Sequence, residues 1–313
     1  MIFAEPDFYM EMLISPNDQY YRYLWGMRKI NAPAAWNCFT GSCDVVVGVI
    51  DSGIDYNHPD INCNMWTAPN PRSVHGFDFY SNNNCPMDQT GHGTHVAGTI
   101  GAIGNNFIGV TGVCWNVKMA ALKIGGNSRR VDVVAAIEAI QYADENNIPI
   151  LNNSWGGRGY SQALKYVIDQ YDGLFIAAAG NDGMDNDLIP TYPASYDSDH
   201  IISVAALNRD NVLASFSNFG AKSVDVAAPG AEILSTDLKG RYTFMNGTSM
   251  AAPHVAGAAA LLKGYMPDLT ALEIKEIILS SVTRLPSLDC KVSTGGILNV
   301  RAMIQMVIPA RAV

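Results

Sequence analysis

The chain has 313 residues, long enough for one large catalytic domain or two smaller ones. Hydrophobic residues make up 48% of it and charged residues 16%, which excludes a disordered chain. A formal net charge of −9 argues against electrostatic binding to nucleic acid, which needs a basic face. No apolar run reaches the roughly 18–20 residues that span a bilayer, and the longest, residues 251–262, contains His254 and reads as a buried helix.

In chain order, IFAEPDFYMEML reads as a strand-like terminal segment, followed by the polar stretch SPNDQYYRYLWG. Glu5 and Asp7 and the absence of a basic start argue against a secretory signal here. Apolar runs at 45–50, 117–122, 148–152, 174–179 and 201–205 predict strands. Between and after them, helical patterns fall at 94–103, 132–145, 160–170 and 249–264. This alternation predicts βα units around a parallel sheet, and continuously apolar strands are buried on both faces. In such sheets functional residues gather beyond the carboxyl ends of strands. Asp51, then Asn153 and Ser154, then Gly180 and Asn181 follow three separate runs. With no internal repeat or low-complexity linker, a single catalytic domain is expected.

The six cysteines are Cys38, Cys43, Cys63, Cys85, Cys114 and Cys290; none forms a CxxC pair, which argues against a zinc cluster. One to three disulfides in an oxidising compartment are expected, with Cys63 and Cys85 the favoured pair. Cys114, in GVTGVCW, reads as a buried thiol.

Three residues carry the chemistry: Asp51 in VVVGVIDSGID, His92 in GHGTHVAGTI and Ser249 in NGTSMAAPHVAG. A serine hydroxyl is a poor nucleophile at neutral pH and needs a base within hydrogen-bond reach. His92 would take the Ser249 proton and pass it to the leaving amine, while Asp51 orients the imidazole. Pro253 is expected in the first turn of the following helix, which places Ser249 at its positive end. A backbone amide there can donate to an oxyanion. An esterase of the α/β-hydrolase type would need GxSxG and the order Ser…Asp…His, which this chain lacks. A binding protein derived from an enzyme would show a substituted site, and none of the three is replaced. His92 and His95 lack the acidic or sulfur partner of a zinc signature.

The order Asp…His…Ser and the motifs around it resemble the subtilisin-like serine proteases (subtilases), from Trp25 to GGILNVRAMI. The resemblance implies an α/β, three-layer fold with a central, mostly parallel sheet flanked by helices. It implies a serine endopeptidase that binds a protein or peptide substrate as an extended strand and forms an acyl-enzyme on Ser249. Asn181, in FIAAAGNDG, becomes the second oxyanion donor. LNNSWGG (residues 151–157) becomes the substrate-pairing segment, with Ser154, Trp155 and Gly156 on one wall of the specificity pocket. Ala178 and Gly180 lie on the other wall, Thr191 of TYPAS at the base, and Tyr192–Pro193 is a candidate cis bond.

GNNFIGV (residues 104–110) resembles the family's calcium loop. Its implied Ca2+ ligands are the Asn106 side chain, the carbonyls of Gly104, Ile108 and Val110, and Asp60. A ligand from the N-terminal arm is left open among Asp18, Gln19 and Tyr21. FDFYSNNNCPMD, with Asp78 and Asp88, could hold a second ion or be a solvated loop. The family further implies a monomeric zymogen of the secretory pathway, secreted or vesicular. Residues 1–15 would be the tail of an inhibitory propeptide and 16–313 the catalytic domain.

Overall fold

Side chains along strand β1 (Gly41–Asp51) divide between two cores, and that division sets the architecture. Val45, Val47 and Val49 enter one core; Ile50 enters the second, with Val46 packed against it. The computed structural model describes residues 14–68, 74–127 and 130–308. The strand-like tail expected over residues 2–13 lies outside these.

Among the described residues ten more strands follow: β2 (Gly76–Asp78), β3 (Asn116–Lys123), β4 (Ile150–Asn153), β5 (Leu174–Ala178), β6 (Ile201–Leu207), β7 (Val226–Pro229), β8 (Ile233–Asp237), β9 (Arg241–Met245), β10 (Thr283–Arg284) and β11 (Gly296–Ile297). Nine form one sheet in the order β10-β11-β7-β6-β5-β4-β1-β3-β2, parallel throughout except for the β10–β11 pair. β8 and β9 form a separate antiparallel hairpin. β4 lies on one side of β1 and β3 on the other, so strand order reverses about β1. A reversal of this kind opens a crevice at the carboxyl ends of the strands.

Helices cover both faces. Over one lie α1 (Trp25–Lys29), α2 (Ala32–Trp36), α3 (His92–Gly101), α6 (Thr248–Tyr265), α7 (Ala271–Ser280) and α8 (Val300–Val307). Over the other lie α4 (Val133–Glu145) and α5 (Gln162–Gln170). This is the expected three-layer arrangement. α6 crosses β1, β4, β5, β6 and β7 and is buried nearly all round, so its small residues are what allow close packing on the sheet. No helix among the described residues is long and apolar enough to cross a membrane.

The five expected strands fall on β1, β3, β4, β5 and β6, and the four helical patterns on α3, α4, α5 and α6. Two expectations fail. Pro253 is the sixth residue of α6, in its second turn instead of its first. All six cysteines are free thiols, so the expected disulfides, Cys63–Cys85 included, are not formed. Cys85 Sγ instead lies 3.6 Å from the Tyr56 hydroxyl, while Cys63 sits in the short helical turn Asn62–Asn64. Cys114 is the buried thiol foreseen, and burial raises its pKa.

Candidate active site

β1 delivers Asp51 to the crevice, where its Oδ1 accepts from the Ser52 amide at 2.7 Å and meets His92 Nδ1 at 2.8 Å. A carboxylate only accepts, so Nδ1 carries the hydrogen and Nε2 is left with the lone pair of a base. His92 is the first residue of α3, two residues earlier than its pattern suggested. Asp88 sets that start. Its Oδ1 accepts from Ser52 Oγ, Thr90 N, Thr90 Oγ1 and Gly91 N, and its Oδ2 from Thr94 N and Oγ1. These bonds satisfy amide groups that a helix start leaves without intrahelical partners. A Cβ on Gly93 would lie 2.1 Å from Gly53 O, so only glycine lets α3 approach β1 this closely.

Ser249 is the second residue of α6. Its hydroxyl donates to Ser154 O at 3.1 Å, and the Ser154 hydroxyl donates to Ser249 O at 2.9 Å. Asn181, just past β5, has a fixed amide orientation. Thr248 N–H can only donate, at 2.7 Å, so the atom it meets is Oδ1; Thr248 Oγ1 donates to the same oxygen at 3.0 Å. Thr248 Oγ1 in turn accepts from Gly180 N. The NH2 of Asn181 therefore turns away from Thr248.

The substrate-binding candidates also gather here. Gly157 and Tyr192 exchange backbone hydrogen bonds of 2.8 and 2.7 Å, joining the segment after β4 to the TYPAS loop, whose Tyr192–Pro193 bond is cis. Thr191 is buried, and its Cγ2 would lie 3.4 Å from a Cβ on Gly156 and 3.3 Å from one on Gly180. One methyl thus closes the space between two glycines. Ala178 buries its methyl in the core under α6, and Trp155 packs partly against the opposite core. Arg158 and Asp182, both well exposed, meet at 3.5 Å.

The loop at residues 104–110 lies against Asp60 and the N-terminal arm. Asp60 Oδ1 accepts from Asn106 Nδ2 at 2.7 Å and Oδ2 from Val110 N at 2.8 Å. Asp18 Oδ2 accepts from Asn105 N at 2.8 Å, while its Oδ1 is buried with no hydrogen-bond partner among the described residues. Burial, with the Asp18 charge nearby, pushes Asp60 up to about 6, and burial raises Asp18 as well. Two buried acids and an orphaned oxygen are the hard-oxygen groups calcium takes, whereas the Asn106 amide faces Asp60 through Nδ2 and its Oδ1 accepts from Ile108 N at 3.0 Å. Of the arm residues left open, Asp18 is the one that faces the loop. The second ion suggested for residues 77–88 does not fit: Asp88 caps α3, and Asp78 already faces buried Lys123 at 3.5 Å.

A sequence profile of the subtilase family matches residues 42–295. The chain belongs to the subtilase family. This subtilase is 37% identical over 287 residues to the thermophilic serine proteinase of Bacillus sp. (strain AK1), across 90% of this chain and 68% of that one. It is 39% identical over 266 residues to subtilisin DY of Bacillus licheniformis, across 84% of this chain and 91% of the other. A solved protease from Pseudoalteromonas arctica superposes with a TM-score of 0.82 at 30% identity, covering 93% of this chain and 99% of its own. The subtilase is accordingly a serine endopeptidase.

Several residues that shape this subtilase's candidate site carry little or no signal of their structural part in the sequence. Asp88 carries a local signal, an acid just ahead of a helix. Thr248, whose residue type suits a helix start, does open α6, but its bonds to Asn181 have no local signal. Asn218 carries none, since its partners Asn186 and Thr191 lie 32 and 27 residues away in sequence.

Proposed function

We propose that peptide bonds are cleaved by Ser249, His92 and Asp51 acting as a triad, with Asn181 and the Ser249 amide as oxyanion donors. The observation that carries this reading is the 2.8 Å contact between Asp51 Oδ1 and His92 Nδ1 at the mouth of β1. The Ser249 hydroxyl leaves Ser154 O and turns to His92 Nε2. Its oxygen then bonds to the scissile carbonyl carbon while its proton passes to the imidazole. Asp51 stabilises the imidazolium. Negative charge on the carbonyl oxygen meets Asn181 Nδ2 and the positive end of α6. The imidazolium proton goes to the departing amine, the C–N bond breaks, and water repeats the sequence on the acyl-enzyme.

The segment after β4 supplies main-chain pairing for an extended substrate, which gives affinity independent of substrate sequence. Thr191 limits the depth available to the side chain before the scissile bond (P1), favouring small and medium aliphatic residues. Gly104, Ile108 and Val110 carbonyls with Asn106, Asp60 and Asp18 would hold calcium, which would neutralise the two acids. Residues 1–15 would be a propeptide tail removed on activation.

A fluorophosphonate probe tests the core of this. Intact mass with calcium present should show one adduct, mapping to Ser249, that His92→Ala abolishes. A folded, calcium-loaded chain without an adduct would sink the triad. Asn181→Ala should lower kcat roughly a hundred- to a thousandfold, a magnitude carried over from subtilisin, where removing such a donor is the reference case.

A further inference from the structure

The loop that carries Asn181 and the floor that carries Thr191 are joined by one fully buried side chain, Asn218. Its Oδ1 accepts from Asp182 N at 2.9 Å and Met184 N at 3.1 Å. Its Nδ2 donates to Asn186 Oδ1 at 3.0 Å and Thr191 Oγ1 at 3.1 Å. Both donors and both lone pairs of the amide are therefore in use. Backbone N–H groups only donate, so its orientation is fixed as firmly as that of Asn181.

The bonds bracket the oxyanion donor. Asn218 N donates to Gly180 O at 2.9 Å, on one side of Asn181, and its side chain takes Asp182 N on the other. Gly180 has φ +113°, and a Cβ there would lie 2.4 Å from Asn218 Nδ2. The loop thus rests directly on the amide. At the far end, anchoring Thr191 Oγ1 aims its methyl between Gly156 and Gly180. The turn itself is pinned to β6, since Ser217 Oγ accepts from Ala206 N at 2.8 Å and donates to Asn218 O at 2.9 Å.

We propose that Asn218 is a positioning residue that holds the Asn181 loop and the Thr191 floor in one fixed relation. A P1 side chain seated against Thr191 then places the scissile carbonyl under Asn181. The proposal rests on the roles given to Asn181 and Thr191 above. It acts on geometry in the transition state, so its loss lowers turnover more than it weakens substrate binding.

The test is a double-mutant cycle. Asn218→Ser should lower kcat roughly ten- to hundredfold and move KM by no more than about twofold. In an Asn181→Ala background the same change should cost less than about twofold more, because the donor it positions is gone. Thr191→Val, which removes one acceptor and keeps the side-chain shape, should show the same dependence on Asn181 and serves if Asn218→Ser fails to fold. Equal losses in both backgrounds, or a rise in KM alone, would overturn the proposal and leave the reading of Asn181 intact. If Asn181→Ala itself leaves kcat unchanged, that reading falls and the proposal with it.

Discussion

Ser154 and Ser249 bond to each other twice, and one of those bonds reaches the carbonyl that Pro253 leaves without its helical donor. In a regular helix the amide of residue 253 would donate to the Ser249 carbonyl; proline has none. The Ser154 hydroxyl fills the vacancy at 2.9 Å. This bond fastens the backbone of Ser249, the proposed nucleophile, to the segment after β4, and Ser154 O receives the Ser249 hydroxyl in return.

Ser154→Ala should therefore cost more with Pro253 present than without it. An unsatisfied buried carbonyl costs about 1–3 kcal/mol. Measured by urea unfolding in a Ser249→Ala background, which prevents self-digestion, the Ser154→Ala penalty should shrink once Pro253→Ala restores an amide. Equal penalties in both backgrounds would mean that the bond does not serve the carbonyl.

Asp88 holds the helix start that carries His92, so it should matter to both stability and turnover. Asp88→Ala is expected to cost about 1–2 kcal/mol, the usual worth of a helix cap. It should also lower kcat while leaving KM largely unchanged, because His92 lies on the first turn it caps. Asp88→Asn, which keeps an acceptor, should recover part of both losses. Steady-state kinetics beside thermal melts of the three proteins would decide this.

Thr191→Gly should widen the proposed P1 pocket. Removing the side chain between Gly156 and Gly180 should raise kcat/KM for a P1 phenylalanine relative to alanine by roughly tenfold or more. A series of peptide p-nitroanilides reads this directly, and an unchanged ranking would show that the floor lies elsewhere.

Two buried histidines predict an acid-side loss of stability. His95 Nε2 meets the carbonyls of Ile233 and Thr243, and His254 Nδ1 meets Met250 O, so both rings are neutral donors. Burial lowers each to about 4. Unfolded chains take up these protons near pH 6.5, before the folded protein does. The histidines' share of stability is thus whole above about pH 7 and falls as pH drops from about 6.5 to 4, by up to about 3 kcal/mol each, while the raised Asp60 carboxyl acts in the opposite sense over the lower part of that range. Unfolding free energies across that range should fall less steeply for His254→Gln than for the parent.

Calcium should raise the thermal midpoint. A ligand at a hundred times its Kd adds about 2.7 kcal/mol to the folded state. Melts in calcium against a chelator should differ, and Asp60→Asn or Asp18→Asn should reduce the difference. A midpoint indifferent to calcium would remove that part of the proposal.

The amino-acid sequence by itself determined the layers of this protein and its family, and it pointed to the groups proposed to react. Five continuous apolar runs required strands buried on both faces, and the motifs around Asp51, His92 and Ser249 pointed to hydrolysis. The short elements escaped notice, since β10 and β11 have two residues each and too little length to show a period. α7 escaped despite its Thr270–Glu273 capping box. Tertiary structure alone decided how the groups are aimed. Hydrogen bonds from Thr248 to Asn181, from Ser154 to Ser249 and from Asn218 to Thr191 span 67, 95 and 27 residues of chain. No local pattern encodes such pairs, because an amide or hydroxyl acquires direction only when a distant donor or acceptor is folded against it.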